Sequence, residues 1–405
     1  MSGHTQPAWP KSLICGEFGK VWASQAVSLT GDWIYYVALI LHVLKLTGSA
    51  FTLGKLLIFS ALPVAVCSPL AGVLVDRVNR KYIMVTVDVA RAALVALVPY
   101  TVSIGQIYVL TMGLAALGVF YSAARGAVVP KLVPPEALFA ANSLSALTLG
   151  VARVLGSALG GILIGLRGPH TAFLVNSGTF LCSACLIACT AIPANNGHSS
   201  AVRSKELWRD LISGYAYIKD SPVVLFLAML IGLALMAAGA GTIGFPVLIR
   251  DELGAGAGSL GSIMAAMGAG AFVGSALSAR YGARFEPRRV AVVILACLGV
   301  LAMAIPYLRV VGCVAILVAM FGLGNTAISI TFESTVQRLV PDAMLGKVFA
   351  AYTMLVQVTN LLSMGSAGYF IDRFGAKLVI FAAGAFIFAC SSLAGILGKL
   401  WTNAG

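Results

Sequence analysis

The stretch from residue 72 to residue 81 reads Gly-Val-Leu-Val-Asp-Arg-Val-Asn-Arg-Lys and joins two long, mostly apolar segments. It concentrates one acid, Asp76, and three basic residues, Arg77, Arg80 and Lys81, into a short connection. Apolar segments of about 20 residues are long enough to cross a bilayer as helices. The stretch therefore predicts a tight basic hairpin between two membrane helices.

The spacing within this hairpin resembles the loop between the second and third helices of the major facilitator superfamily, Gly-x-x-x-Asp-Arg-x-Gly-Arg-Lys. Asn79 stands where that family usually has glycine. We expect the turn to be kept, since Asn is the next most tolerant residue for left-handed backbone. A loop that only obeyed the positive-inside rule would need neither the acid nor the spacing.

We interpret the loop as a latch of the cytoplasmic gate, with Asp76 at the N-terminus of a neighbouring helix. The latch comprises Gly72, Asp76, Arg77, Arg80 and Lys81.

The bulk composition places the chain in a membrane. Sixty per cent of the residues are hydrophobic, 10% are charged, and the mean hydropathy is +0.96, which is far outside the range of soluble domains. The net charge of +13 comes from residues spread over short loops rather than from one patch. We therefore expect a lipid bilayer around the chain and no nucleic-acid partner.

Twelve segments are long and apolar enough to span a bilayer, and they form two sets of six that correspond at an offset near 207. Leu132-Val133-Pro134 returns as Leu339-Val340-Pro341, and Gly168 returns as Gly375. Such a duplication indicates an all-α membrane protein of twelve transmembrane helices in two six-helix bundles related by pseudo-two-fold symmetry. The predicted spans are 17–44, 50–75, 81–102, 105–129, 137–165, 169–192, 222–249, 258–281, 288–308, 311–336, 343–371 and 374–398.

The duplication divides the chain into an N-terminal bundle (1–192), a cytoplasmic linker (193–221) and a C-terminal bundle (222–405). Within the linker, Leu207, Leu211, Tyr215 and Ile218 recur on one helical face, which predicts an amphipathic helix.

The loop charges predict the orientation. Of the 27 Lys and Arg residues, 17 fall in loops on the side of the termini, 7 on the opposite side and 3 within spans. We expect a multi-pass protein of the cell inner membrane with both termini in the cytoplasm.

Ionisable groups within spans are energetically costly and point to function. Asp32 and Arg153 each lie roughly 18 to 20 Å from the cytoplasmic side by helix rise. We predict that they face one central cavity, where Asp32 takes up and releases protons. The alternative is a static ion pair that fastens the first span to the fifth.

Four more charged residues lie within spans towards the cytoplasmic side, and we assign them to the gate around Asp76 or to a structural role. They are Asp88, Arg91, Arg125 and Glu333. Other polar side chains in spans either line the substrate path or bond between helices. The residues assigned to the cavity with Asp32 and Arg153 are Gln25, Tyr36, Asn325, Gln357 and Asn360.

Several short pieces resemble the branch of the superfamily that contains enterobactin exporters and macrolide efflux proteins. They include Ser-Leu-Thr-Gly-Asp-Trp at 28–33 and Leu-Trp-Arg-Asp-Leu at 207–211. The run 156–161, Gly-Ser-Ala-Leu-Gly-Gly, is similar to a motif of the drug antiporters but has Ser157 in place of proline; the alternative is small-residue helix packing.

The resemblance implies proton-driven export of an amphiphilic compound such as a drug, siderophore or secondary metabolite, and hence a link to antibiotic resistance. The alternatives are proton-coupled uptake and a receptor-like or lipid-moving role. We expect that ATP does not drive this protein, because no Walker A sequence is present. We expect no enzyme activity, because there is no soluble domain, zinc motif or nucleophile arrangement. We also expect no cofactor and no metal, and a monomer whose partners are a small-molecule substrate, protons and lipid.

Overall fold

The computed structural model describes residues 16–193, 204–254, 256–281 and 285–402. These residues form thirteen α-helices and no β-strand. Twelve of the helices, all except α7, are long and apolar enough to cross a membrane, which confirms the predicted spans. The helices are α1 (Glu17–Thr47), α2 (Ala50–Arg77), α3 (Arg80–Leu97), α4 (Ile104–Leu132), α5 (Leu138–Arg167), α6 (Pro169–Ala188), α7 (Ser204–Asp220), α8 (Pro222–Asp251), α9 (Ala257–Tyr281), α10 (Pro287–Ala304), α11 (Val311–Leu339), α12 (Asp342–Phe374) and α13 (Ala376–Thr402).

The duplication read from the sequence is repeated in the helix boundaries. Shifting the bounds of α3 and α4 by 207 residues gives the bounds of α10 and α11. Helices α5 and α12 also end alike, on Gly168 and Gly375, which have φ angles of +80° and +82°. Their N–H groups donate to the carbonyls of Ile164 and Ile371. Only glycine adopts this backbone without strain, so both halves stop the helix by the same device.

Two compact units can be separated. Unit 1 comprises Met1–Leu39 and Phe59–Ala201, and unit 2 comprises Ile40–Ile58 and Val202–Gly405. The end of α1 and the start of α2 thus belong to unit 2. Because the number of spans is even, we call the side on which α1 begins the termini side and the opposite side the far side.

Each unit has its own apolar core. In unit 1, helices α1, α3, α4 and α6 contribute Val21, Met84, Val128 and Ile187, which are at most 1% exposed. In unit 2, α8, α11 and α12 contribute residues such as Leu227, Val336 and Val348, which are at most 2% exposed. Burial of these side chains fixes the helices that carry the polar groups described below.

The linker helix α7 packs on α12 through a face that includes Ile218 of the predicted face but not Tyr215. A Cβ at Gly214 would lie 2.1 Å from the carbonyl oxygen of Lys347, Ile218 is 4% exposed, and the Tyr217 hydroxyl donates to the carbonyl of Leu339 at 3.1 Å. Tyr215, which we predicted on the apolar face, is 60% exposed. Glycine lets the two helices approach more closely than tyrosine would. The side of α7 that carries Gly214 therefore faces α12.

The hairpin between α2 and α3 also differs from expectation. Asn79 has φ −60° and ψ 118°, so it does not adopt the left-handed turn. Its side-chain oxygen instead accepts a hydrogen bond of 2.9 Å from the N–H of Lys81. Asn79 therefore acts as the N-cap of α3, a role for which Asn is among the preferred residues.

Candidate functional site

Helix α1 is held against two neighbours by glycines, and this places its polar residues inside unit 1. A Cβ at Gly31 would lie 2.3 Å from the side-chain oxygen of Asn176 on α6, and one at Gly156 on α5 would lie 2.5 Å from the carbonyl oxygen of Thr30. A Cβ at Gly160 would lie 3.1 Å from the Cα atom of Ile34. The glycines of the 156–161 motif thus make close helix contacts, which is the packing alternative considered for that motif.

Three charged side chains meet beside α1. Nη2 of Arg91 donates to both carboxylate oxygens of Asp32 at 3.2 Å, and Nη1 of Arg91 lies 3.9 Å from Oδ1 of Asp88. The hydroxyl of Ser183 donates to Oδ2 of Asp88 at 2.6 Å. The guanidinium carbon of Arg91 is 4.0 Å from the centroid of the Phe180 ring, a distance typical of a cation–π contact. We call Asp32, Asp88 and Arg91 the carboxyl cluster.

The members of the carboxyl cluster differ in exposure. The side chain of Asp88 is 0% exposed, that of Arg91 is 13% exposed, and that of Asp32 is 33% exposed. Oδ1 of Asp88 and Nε of Arg91 are buried without a hydrogen-bond partner among the described atoms. One guanidinium therefore faces two carboxyl groups, of which only Asp32 is accessible.

A cavity of about 210 Å³ opens beside Asp32 and Arg91. Most of the accessible surface of its wall is apolar, and Tyr35, Ser60, Thr111 and Asn176 add polar groups. The side-chain nitrogen of Asn176 is buried and has no hydrogen-bond partner in the described part of the chain. The cavity thus offers an acid, a cation and an unused amide donor within an otherwise apolar wall.

We predicted that Asp32 and Arg153 face one central cavity, with a static ion pair as the alternative. Among the described residues the two form no ion pair, and Asp32 pairs with Arg91 instead. That both face a central cavity stays a prediction. The guanidinium carbon of Arg153 lies 4.6 Å from the centroid of the Trp33 ring, and Trp33 is in edge contact with Tyr36 at 5.4 Å. Arg153 does not line the cavity beside Asp32. The prediction compared depths along the membrane normal only, whereas consecutive residues of a helix point in directions about 100° apart. Asp32 and Trp33 therefore point to different neighbours, with Arg91 beside Asp32 and Arg153 beside Trp33.

Arg91 was assigned to the gate, but its side chain joins Asp32. Arg125, also assigned to the gate, donates a hydrogen bond to the side-chain oxygen of Gln25, a residue assigned to the cavity. The structure thus links residues that we had predicted in separate groups.

The latch residues lie at the ends of α2 and α3. The side chain of Asp76 lies outside the described residues, and Gly72 has none, so their roles as gate residues stay predictions. Arg77 is exposed, and Nη1 of Arg80 donates to the carbonyl of Ala127 on α4 at 3.1 Å.

The remaining predicted residues belong to unit 2. Asn325, Glu333 and Gln357 are exposed, and Asn360 is partly exposed. Glu333 forms no ion pair with any residue that the structure describes. Their assignment to the cavity or gate stays a prediction.

The two halves differ at the positions of the carboxyl cluster. Shifted by 207 residues, Asp88 and Arg91 correspond to Leu295 and Leu298, which are 3% and 4% exposed. Asp32 corresponds to Gly239, where a Cβ would lie 2.4 Å from the backbone of Ser363. The second half therefore packs apolar groups where the first half holds charges.

A second polar arrangement, which the sequence did not predict, lies on the far side within unit 2. The carboxylate of Asp372 on α12 accepts a hydrogen bond from the Ser49 hydroxyl at 2.6 Å and from the N–H groups of Ala50 and Phe51 at 2.7 and 3.1 Å. It thereby caps the N-terminus of α2. Asp372 lies one residue beyond a predicted span, and nothing in the sequence marked its partner.

Arg250, at the end of α8, holds the other end of the same connection. Its guanidinium donates to the carbonyls of Leu44 and Gly48 at 3.0 and 3.5 Å. A Cβ at Gly368 would lie 2.8 Å from the carbonyl of Ala50, so α12 and α2 are in close backbone contact. We call Asp372, Arg250 and the connection 44–51 the far-side clamp.

Comparisons with known proteins agree with this architecture. The family model of the Major Facilitator Superfamily matches residues 21–364. The multidrug efflux pump Tap of Mycolicibacterium fortuitum is 26% identical over 85% of this chain and 87% of its own. The enterobactin exporter EntS of Escherichia coli O1:K1 / APEC is 27% identical over 83% of this chain and 80% of its own.

A solved structure has a similar fold. A bacterial homologue of the human lysosomal transporter Spinster, in an inward-facing and unoccupied conformation, aligns with a TM-score of 0.71 at 14% identity, over 95% of this chain and 96% of its own. The family match covers most of the chain, and the twelve spans and the duplicated halves fit it. The chain belongs to the Major Facilitator Superfamily of membrane transporters.

Proposed function

We propose that this transporter exports an amphiphilic small molecule in exchange for protons, by alternating access. The observation that carries the proposal is the carboxyl cluster, in which Arg91 faces both Asp32 and Asp88 beside a cavity. A single guanidinium neutralises one carboxylate and leaves a second acidic group, which can take up a proton. Charged groups inside a membrane protein are costly and are typical of proton pathways.

Asp32 is the group proposed to exchange the proton with solvent, because its side chain is the more exposed of the two acids. When Asp32 is protonated, the attraction of Arg91 shifts towards Asp88, which lies on the same guanidinium. When a cationic or polar part of the substrate enters the cavity, it competes for the carboxylate of Asp32. Proton and substrate would thus exclude one another, which is the requirement for exchange.

The cavity supports an amphiphilic substrate. The accessible surface of its wall is mostly apolar, with Tyr35, Ser60, Thr111 and Asn176 as polar contacts beside Asp32 and Arg91. Its volume of about 210 Å³ is below the roughly 300 to 1,000 Å³ of complete small-molecule sites. We infer that it receives part of a larger molecule. The names of Tap and EntS, an efflux pump and an exporter, favour export as the direction.

We further propose that the termini side is cytoplasmic and that the membrane is the inner membrane of the cell. The excess of Lys and Arg on that side supports this orientation. In the same scheme, the far-side clamp keeps the connection 44–51 attached to α8 and α12 in one state of the cycle and releases it in the other.

Transport into inverted membrane vesicles tests the proposed function. With the vesicle lumen more acidic than the outside, so that protons leave as substrate enters, we expect wild-type vesicles to accumulate at least one compound of a panel that includes ethidium, tetraphenylphosphonium, erythromycin and a catecholate siderophore. One pH unit stores about 1.4 kcal/mol per proton, enough for an accumulation of about tenfold by one-to-one exchange. Accumulation that needs the opposite gradient would indicate uptake instead. Accumulation of no compound under either gradient would contradict drug export.

Replacing Asp372 by Ala should open the far-side clamp. The variant loses three hydrogen bonds at the start of α2, and losing a helix cap costs about 0.5 to 2 kcal/mol. We therefore expect the population of the detached connection to rise by roughly 2- to 30-fold. Spin labels at Leu46 and Leu378, both exposed, would report a longer distance in a chain whose cysteines are replaced by alanine.

Glu252→Ala is the matched control for this measurement. Glu252 is also an acid on the far side, but it pairs with Lys377 at 2.5 Å and takes no part in the clamp. It should leave the distance between the labels unchanged. An unchanged distance in the Asp372 variant would mean that this carboxylate does not hold the connection.

A further inference from the structure

An apolar groove in unit 2 is separate from the carboxyl cluster and from the far-side clamp. It has a volume of about 480 Å³ and lies between the first turns of α8, the start of α10 and the last turns of α13. All three of these helix ends are on the termini side. The groove is open to the outside of the helices, since Val223, Met229 and Leu393 on its wall are 47%, 59% and 58% exposed.

The length of the groove matches one leaflet of a bilayer. On α8 its wall runs from Pro222 to Leu233, which at 1.5 Å per residue is about 16 Å. The hydrocarbon core of a bilayer is about 30 Å thick, so one leaflet contributes about 15 Å. An acyl chain lying along the groove would therefore start at the membrane surface and reach the midplane.

A single charged residue, Arg288, stands at the surface end of this groove. Its guanidinium carbon lies 4.4 Å from the centroid of the Phe226 ring, which holds the group over the wall. Its Nε is buried without a hydrogen-bond partner among the described atoms, and no described acid pairs with it. The neighbouring Arg289 is different, because it pairs with Glu286 at 2.7 Å and its side chain is 85% exposed.

We propose that this groove binds an anionic phospholipid, with the phosphate on Arg288 and an acyl chain along α8 and α13. A cation with which no described acid pairs, above an apolar channel of leaflet depth, complements a lipid that is negative at one end and apolar at the other. Basic pockets between transmembrane helices on the cytoplasmic side are known to bind anionic headgroups. Binding at this position would fasten α10 and α13 to the start of α8.

Native mass spectrometry of the purified full chain tests the proposal, with dioleoylphosphatidylglycerol or dioleoylphosphatidylcholine added to the detergent. We expect wild type to bind the anionic lipid about fivefold more tightly than the zwitterionic one. Arg288→Gln should abolish this preference, and Arg288→Lys should keep part of it. Arg289→Gln, which removes the same charge one residue away, should keep all of it. Size-exclusion profiles would confirm that each variant is folded.

Two further measurements separate the contribution of the acyl chain from that of the phosphate group. Met229→Trp, which fills the groove, should weaken both lipids, and millimolar inorganic phosphate should not displace phosphatidylglycerol. A preference that survives Arg288→Gln would overturn the proposal. An equal loss of the preference in Arg289→Gln would also overturn it, because it would indicate diffuse attraction to the charged surface. Displacement of phosphatidylglycerol by phosphate would overturn it too, because it would indicate an anion site without an acyl chain.

Discussion

Replacing Asp32 by Asn should abolish proton-driven accumulation while leaving a folded protein in the membrane. Asn has nearly the same shape, and its side-chain oxygen can still accept a hydrogen bond from Arg91, which donates to Asp32 in the wild type. It cannot exchange a proton, however, so the gradient no longer acts on the substrate. With one pH unit imposed, we expect the accumulation ratio in inverted vesicles to fall from about 10 to about 1.

The same variant should retain exchange of labelled for unlabelled substrate across the membrane, since that process needs no net movement of protons. This second measurement separates a coupling role from the static ion pair considered at the outset. If Asp32 only fastened helices together, the variant would instead be lost from the membrane or inactive in both assays. Glu286→Gln serves as the control, because Glu286 is an acid outside the spans that pairs with Arg289; it should leave both assays at the wild-type level.

The identity of the charged residues could be predicted from the sequence, but not how they are paired. Asp32, Asp88 and Arg91 were recognised because ionisable groups are rare in apolar spans. Depth along the helix suggested Arg153 as the partner of Asp32, whereas the structure places Arg91 there. The direction of each side chain depends on how each helix is rotated about its axis. Contacts such as that of Gly156 with Thr30 fix that rotation, and they join residues far apart in the chain.

The fold was predictable to a greater extent, because hydrophobic length and internal duplication are local or periodic signals. The offset of 207 residues reappears in the bounds of α3 and α10 and in the glycines at the ends of α5 and α12. The far-side clamp was not predictable by these means. Its members, Asp372 and the connection 44–51, are polar groups next to loops, where acids and serines are common and carry no periodic signal.

Arg91→Leu should be the most destabilising single substitution in the carboxyl cluster. Asp88 is fully buried and Asp32 is half-buried, so removing the guanidinium leaves two acids without their common partner. Breaking a buried ion pair in this way costs about 3 to 5 kcal/mol. We expect a clear fall in the thermal midpoint of the purified protein, measured by loss of the monodisperse peak after heating. Arg153→Leu should cost less, because no described acid pairs with Arg153.

Stability should return when the acids are neutralised together with the arginine. The second half of the chain suggests the replacement, since Leu295 and Leu298 occupy the positions equivalent to Asp88 and Arg91 and are almost fully buried. A chain with Asp32→Asn, Asp88→Leu and Arg91→Leu should recover most of the lost thermal stability, because apolar groups can replace a buried ion pair at little cost. It should still fail to accumulate substrate under a proton gradient. A triple variant that stays as unstable as Arg91→Leu alone would show that the arginine stabilises unit 1 through its contact with Phe180 rather than through the two carboxyl groups.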